Sequence, residues 1–432
     1  MLNTTALLTD RYELTMLQAA RHAGTADRRC VFEVFTRHLP AGRRYGVVAG
    51  TGRLLELLKD FRFDAETIAW LKQEKVVDDS TLDWLANYKF SGNISGYREG
   101  EIFFANSPVL TVESTFAEAV LLETLILSIF NSDSSVAAAA SRMVTAANGR
   151  FLAEMGGRRV NEHAAVAVAR AAYIAGFDAT SNLEAGRSWG IKTMGTAAHS
   201  FVLLHDTEEQ AFRAQLETFG EQTTLLVDTF DIENAVRKAI ALAPNLGAVR
   251  LDSGDLGVEV NRVRDLLDSL GATNTKITVT NDLDEFSIAA LATAAVDSYG
   301  VGTSVATGSG APTAGFVYKL VSFEGSDGAW HSVAKKSSQK TNIGGRKHAV
   351  RRIDASGTAT AEVIGSEVQV EKDANDRALT VNLVAAGIVN SEFVGIEATE
   401  RARQHHKLAK AELPLQGLRL MRGDAAIATE LI

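Results

Sequence analysis

Ala248-Val249-Arg250-Leu251-Asp252-Ser253-Gly254-Asp255 decides how this chain is read. A short apolar run carrying one arginine ends in acids and a glycine, and a helical pattern from Val258 to Leu270 follows. A strand that ends in polar residues and feeds a helix is the unit of a parallel sheet, because a crossover must carry the chain back before a parallel neighbour can start. The unit recurs on both sides. Upstream lie Phe177 to Asn182, Thr193 to Thr196 and Leu225 to Thr229, and downstream Ile277 to Asp282 and Ser298 to Thr303. Helical stretches such as Glu208 to Phe219 and Ile232 to Leu242 fill the gaps. This series, with room for one more strand near Arg150 to Arg159, predicts a closed or nearly closed α/β barrel. A doubly wound open sheet is the alternative, and it more often begins with a glycine-rich nucleotide loop.

In an α/β barrel the groups at the carboxyl ends of the strands converge on one cavity. Those ends carry Ser181 and Asn182, Thr196, Asp228, Arg250 with Asp252, Asp282, and Gly302 with Thr303. Each Asp or Thr alone is equally well placed to cap the following helix. Arg250 caps nothing, and the full set points to a shared site. His199 stands one turn beyond Gly195-Thr196, where it opens the apolar run Phe201 to Leu204. It is a candidate phosphoryl acceptor or proton carrier, or an ordinary histidine at a helix start.

The chain ends lack this alternation. A helix is expected after Thr9-Asp10, a strand at Cys30 to Phe35, and short strands between Gly92 and Glu113. An alanine-rich helical region runs from about Thr115 to Asn148, with an interruption expected near Asn131 to Ser135. Residues 112–312 are therefore assigned to the barrel, and 1–111 with 313–432 to one discontinuous α+β domain, since neither end alone shows a complete core pattern. The late segment has a basic stretch, Lys335, Lys336, Lys340, Arg346, Lys347, Arg351 and Arg352. Its turn-rich part, Thr341 to Lys347, reads either as an anion holder or as a solvated hairpin whose lysines guard an edge strand.

Composition narrows the function. The 432 residues are 46% hydrophobic and 22% charged, ordinary for a globular protein of two or three domains. Acids outnumber bases 53 to 44 for a net charge of −9, so neither nucleic acid nor an anionic membrane is an expected partner. A single cysteine, Cys30, rules out an internal disulfide and fits a reducing compartment. With no signal-peptide pattern and no apolar run of bilayer length, a cytoplasmic location is expected. The P-loop, zincin and nucleophile-elbow motifs are all missing. What remains is a set for a phosphorylated sugar. Arg158, Arg159 and Arg250 offer paired donors to phosphate or carboxylate. Asp252, Asp255 and Asp282 suit ribose hydroxyls or Mg²⁺ held through water. Gly302 and Thr303 leave backbone amides free for a phosphate.

Six motifs in order then carry a resemblance over nearly the whole chain. They are Thr9-Asp10-Arg11-Tyr12-Glu13-Leu14-Thr15, Glu154-Met155-Gly156-Gly157-Arg158-Arg159, Ala179-Thr180-Ser181-Asn182, Gly195 to Phe201, Arg250 to Asp255, and Gly300-Val301-Gly302-Thr303. Together they resemble the nicotinate phosphoribosyltransferase family. The resemblance implies an irregular α/β barrel of type II phosphoribosyltransferases beside a discontinuous α+β domain. It implies joining of nicotinate to 5-phosphoribosyl 1-pyrophosphate in NAD biosynthesis, coupled to ATP hydrolysis through a phosphohistidine at His199. Mg²⁺ would accompany the pyrophosphate, with no direct protein metal ligand assigned. Tyr12 and Thr196 match nicotinate contacts, Arg250 the partner of its carboxylate, and Thr341 a contact to the phosphoribosyl donor. Arg158 and Arg159 match phosphate contacts, Asp282 the ribose, and Gly302 and Thr303 the 5-phosphate. A homodimer is implied, with sites at the subunit interface and Tyr12 arriving from the partner. Ser181 stands where related nicotinamide enzymes place an aspartate, which favours nicotinate. Met155 stands where relatives often carry an aromatic residue, and a thioether also packs on a ring face. Nicotinamide or quinolinate phosphoribosyl transfer, or non-catalytic binding of phosphoribosyl ligands, are the rival readings.

Overall fold

The stretch around Arg250 is a strand, Ala248–Leu251, inside a parallel sheet, as its pattern requires. The computed structural model describes residues 4–335 and 342–432. The chain divides into two units, residues 139–310 and residues 1–138 with 311–432.

In the unit of residues 139–310 six strands run parallel in the order Ala179–Thr180, Phe151–Glu154, Ser298–Val301, Lys276–Val279, Ala248–Leu251 and Thr224–Leu226. Phe151–Glu154 is the additional strand. A bridge from Thr180 to Thr193 extends the first edge, so the strand expected over Thr193 to Thr196 is reduced to a single pairing. The ladder does not close among the described residues. The sheet nevertheless curls. Thr196 follows one edge and Arg250 sits next to the other, yet Arg250 Nη1 donates to Thr196 Oγ1 at 3.1 Å. This is an irregular α/β barrel. The inner strand residues Val249, Leu251, Ile277, Val279, Tyr299 and Val301 are almost wholly buried, as expected for strands covered on both faces.

The other unit has a seven-stranded antiparallel sheet in the order Trp330–Ser332, Phe316–Glu324, Arg29–Thr36, Leu110–Thr115, Asn93–Tyr97, Thr380–Ala385 and Ile388–Val389. Strands from both chain ends are neighbours, since Phe32 pairs Val112 on one side and Leu320 on the other. Phe32 stacks on Tyr318 with centroids 4.8 Å apart. A smaller sheet joins Arg377–Ala378, Lys347–Ile353, Ala359–Ser366 and Ala428–Leu431. Helix Arg11–His22 buries Leu14, Leu17 and Ala20 at helical spacing. Its buried Glu13 accepts from the backbone amide and hydroxyl of Thr124, so the carboxylate closes the first turn of helix Glu123–Ala147.

Three expectations need correction. The first boundary falls between 138 and 139, not near 111, because strand Leu110–Thr115 is an inner member of the seven-stranded sheet. The interruption near Asn131 to Ser135 is absent, and the helix is continuous from Glu123 to Ala147. Its polar side chains bond to neighbouring elements in place of their own backbone. Asn131 Nδ2 donates to Phe316 O at 3.2 Å, Asp133 holds Arg53 at 2.7 Å, and Ser134 Oγ accepts from Ala49 N at 3.1 Å. The basic stretch is not solvated throughout its described residues, since Lys335 and Arg346 are exposed but Lys347 and Arg351 are buried. Lys347 is buried with its Nζ 2.6 Å from Glu33 Oε2, and the fully buried Arg351 donates to Glu362 at 2.8 Å. Lys336, Lys340 and Thr341 lie outside the described residues. No described helix is long and apolar enough to cross a membrane.

Candidate active site

Helix caps and site groups separate cleanly at the strand ends. Asn182 Oδ1 accepts from Ala185 N at 2.9 Å, and Asp255 Oδ1 from Gly257 N at 3.1 Å, so these two cap the following helices. Asp228 and Asp252 do not cap. The Asp228 side chain is only 1% exposed, and its Oδ2 accepts from Asp252 N and Ser253 Oγ, each at 2.7 Å. Its Oδ1 has no hydrogen-bond partner among the described residues and lies 4.0 Å from His199 Nε2.

Arg250 is the best-held cation of the site. Its Nη2 donates to Asp252 Oδ1 at 2.9 Å, Nε to Thr280 Oγ1 at 3.1 Å, and Nη1 to Thr196 Oγ1 and Ala197 O at 3.1 and 3.2 Å. Three strand ends thus fix one guanidinium. Burial alone would raise the Asp252 carboxyl, but the Thr280 hydroxyl and Arg250 outweigh it and hold the group below the usual carboxylate range. Asp252 Oδ2 lies 3.7 Å from His199 Nε2. The other ring nitrogen of His199, Nδ1, is 3.1 Å from Thr229 Oγ1. The imidazole is therefore oriented at both nitrogens, with two carboxylates on one side and a hydroxyl on the other. It opens the short helix His199–Leu203, as its place in the sequence suggested.

Other predicted groups lie on the neighbouring strand ends. Ser181 is exposed, and its amide donates to Glu154 O at 2.9 Å. Arg158 and Arg159 are exposed in the loop after Phe151–Glu154, and neither guanidinium has a partner among the described residues. Met155 N donates to Val301 O at 2.7 Å, which sets that loop against Gly302 and Thr303. A Cβ on Gly300 would lie 2.7 Å from both Met155 Sδ and Thr280 Cγ2, so only glycine admits the thioether there. Asn281 and Asp282 have φ of 99° and 41°, adjacent left-handed non-glycine residues, and such conformations cost about 1–3 kcal/mol each. Asp282 is exposed on this turn.

The structure thus brings Thr196, His199, Arg250 and Asp252 into one network and places Ser181, Asp282, Gly302, Thr303 and the arginine pair on flanking strand ends. Tyr12 belongs to the other unit, on helix Arg11–His22, where burial and then Glu123 raise its hydroxyl above the ordinary range. Thr229, Thr280 and Glu154 were missed. Threonine at a strand end is too common to signal by itself, and Glu154 reads as the first letter of an arginine motif. Among the described residues no group of three or more His, Cys, Asp or Glu side chains is arranged to hold a metal ion.

Residues 7–131 match the nicotinate phosphoribosyltransferase (NAPRTase) N-terminal domain family. The chain is 54% identical over 439 residues to nicotinate phosphoribosyltransferase pncB1 of Mycobacterium tuberculosis, covering 99% of this chain and 95% of that protein. It is 36% identical over 363 residues to nicotinate phosphoribosyltransferase of Bacillus subtilis, covering 81% and 74%. In fold it is similar to the crystal structure of human nicotinic acid phosphoribosyltransferase, with a TM-score of 0.84, 23% identity and coverage of 98% and 97%.

Proposed function

The chain belongs to the nicotinate phosphoribosyltransferase family and has that activity in NAD biosynthesis, and from that premise we propose how its residues divide the work. Nicotinate and 5-phosphoribosyl 1-pyrophosphate give nicotinate mononucleotide and pyrophosphate, coupled to ATP hydrolysis through a phosphoryl group on His199. The observation that carries the reading is the network in which Arg250, fixed by Thr196, Asp252 and Thr280, shares Asp252 with His199.

Arg250 meets the nicotinate carboxylate with its charge and with the one Nη2 hydrogen that Thr196, Ala197, Asp252 and Thr280 leave free, and Thr196 and the partner subunit's Tyr12 flank the ring. Ser181 presents a hydroxyl where an aspartate would repel that carboxylate, which favours nicotinate over nicotinamide. Arg158 and Arg159 take phosphate oxygens, Asp282 the ribose hydroxyls, Gly302 and Thr303 the 5-phosphate, and Thr341 the donor. The pyridine nitrogen forms the bond to the anomeric carbon as the bond to pyrophosphate breaks, and the electron pair leaves on the pyrophosphate oxygen. No covalent sugar intermediate is needed, so positioning and charge stabilisation supply most of the acceleration. Mg²⁺ carried on the pyrophosphate would neutralise its charge. Such an ion needs only one or two protein carboxylates, and Asp252 and Asp282 can provide them through water.

A dimer is part of this reading. Leu183, Leu203, Leu204, Phe230 and Val258, all on segments that follow strand carboxyl ends, are each more than half exposed. A covering partner would bury them. Pyrophosphate release by purified protein, measured with nicotinate, phosphoribosyl pyrophosphate and Mg²⁺ with and without ATP, tests the assignment. His199→Ala should abolish the ATP stimulation, and stimulation that survives would sink the phosphohistidine role.

A further inference from the structure

Glu154 ends strand Phe151–Glu154 with its side chain inside the protein, and the residue is 1% exposed. No cation pairs with it among the described residues. Its Oε1 accepts from Gly156 N, and its Oε2 accepts from Thr180 Oγ1 at 2.6 Å. Thr180, itself fully buried, uses the same hydroxyl oxygen to accept from Asn182 N at 3.0 Å. The Glu154 main chain reaches the same loop, since its carbonyl accepts from Ser181 N at 2.9 Å. One carboxylate therefore fixes the start of the loop that carries Arg158 and Arg159 and, through Thr180, the loop that carries Ser181.

A third strand end closes on the same point. A Cβ on Gly156 would lie 2.8 Å from Glu154 Oε1, 2.8 Å from Ala306 Cβ and 2.9 Å from Gly302 O. Gly156 is thus held between the Glu154 carboxylate and the Gly302 turn, and Arg159 N turns back to Gly156 O at 2.8 Å. Burying a carboxylate without a cation is costly, and an apolar side chain of similar volume would fill the space at less cost. Two acceptor oxygens on one rigid group supply what an apolar side chain lacks, a fixed relation between donors on two loops.

The geometry points to Glu154 as a positioning residue, which acts with Thr180 to hold the Arg158–Arg159 loop and the Ser181 loop in register for the phosphoribosyl donor and the pyridine ring. This rests on the assignment of those loops to substrate given above. Glu154→Gln retains the volume but offers a single acceptor, so either Gly156 N or the Thr180 hydroxyl proton loses its partner, even where the glutamine amide donates to Thr180 Oγ1 in return. A displacement of about 1 Å can cost up to about 100-fold, so KM for phosphoribosyl pyrophosphate should rise about tenfold or more in Glu154→Gln. kcat should fall less than the KM rises. Thr180→Val should raise the KM for nicotinate in the same way, and Thr180→Ser, which keeps the hydroxyl, should restore it.

The test is steady-state kinetics for both substrates together with thermal unfolding, on Glu154→Gln, Thr180→Val, Thr180→Ser and Arg158→Ala with Arg159→Ala. Variants of Glu154 and Thr180 that melt at lower temperature but keep both KM values at the wild-type level would overturn the proposal, because only the fold would then depend on them. If Glu154→Gln does not fold, the Thr180→Val and Thr180→Ser pair decides by the same criterion. Unchanged donor KM in the double arginine variant would remove the phosphate assignment itself. Raised donor KM there with unchanged KM in Glu154→Gln would remove the positioning role alone.

Discussion

At the scale of single residues, a few positions along one turn divide a helix cap from a site group, as Asp255 and Asp252 do on either side of Ser253-Gly254. Asp228, Asp252 and Asp255 all stand at strand ends with the same chemistry. Asp255 turns to the next helix, while Asp228 and Asp252 turn to Arg250 and His199. Their places along the strand-to-helix turns separate them, since Asp252 directly follows strand Ala248–Leu251 and Asp255 directly precedes helix Leu256–Ser269, and residue type does not encode this. Arg250 was legible because an arginine has no capping role, and the structure gives its substitution a definite expectation. A lysine has one point charge where Arg250 donates from Nε, Nη1 and Nη2 at once. Arg250→Lys should lower kcat/KM for nicotinate by about 100-fold, on the order of 2–3 kcal/mol, mainly through KM. Saturation curves for nicotinate at fixed phosphoribosyl pyrophosphate check this, and a loss below about threefold would contradict the placement of Arg250 against the carboxylate.

At the scale of elements, periodicity found several of the helices and the parallel strands, apart from Thr193 to Thr196. It missed the strands after residue 330, such as Lys347–Ile353 and Ala359–Ser366, and it failed where polar side chains reach outside their own element. Asn131 to Ser135 looked like a break because hydroxyl and amide groups compete with a helical backbone, yet here their partners lie on other segments. Helix Ile396–Ala411 is held in the same way. It packs on the turn at Gly100, where φ is 91° and a Cβ would overlap Ala402 O. The buried His406 donates through Nδ1 to Gly100 O at 2.9 Å, and His405 Nε2 lies 2.8 Å from the buried Glu101. Burial, and then Lys410, push the His406 pKa down to about 3. An unfolded histidine takes its proton near pH ~6.5, so between that value and about 3 the unfolded state binds one proton more than the native state. This contribution to stability is complete above pH ~6.5 and is lost as the pH falls, by about 1.4 kcal/mol per unit. Denaturant unfolding at about pH 7.5 and about pH 4.5 should show a loss smaller by roughly 2–3 kcal/mol in His406→Asn, which can still donate to Gly100 O but does not titrate. Equal acid losses in the two proteins would show that His406 is not the group responsible.

At the scale of the whole molecule, the barrel and the joining of both chain ends in one unit were readable from where βα alternation starts and stops. The boundary at 138 was not, because a helix that continues through it leaves no break in pattern. The subunit arrangement is a further step, and it makes a quantitative prediction. If each site takes His199 from one chain and Tyr12 from its partner, then His199→Ala and Tyr12→Ala disable sites in different ways. In a dimer of one variant with the other, both defects fall in the same site, and the second site has an intact His199 and an intact Tyr12. Random reassociation makes about half the dimers mixed, each with one working site, so unfolding and refolding the two variants together should recover roughly a quarter of the ATP-stimulated activity of the wild type. Each variant refolded alone should recover only its own residual rate. If Tyr12 and His199 of one chain served the same site, a mixed dimer would hold one site without the histidine and one without the tyrosine. No activity beyond the average of the two parents would then appear. Pyrophosphate release measured across mixing ratios separates the cases, since recovery through mixed dimers peaks at equal amounts, whereas parental averaging changes linearly.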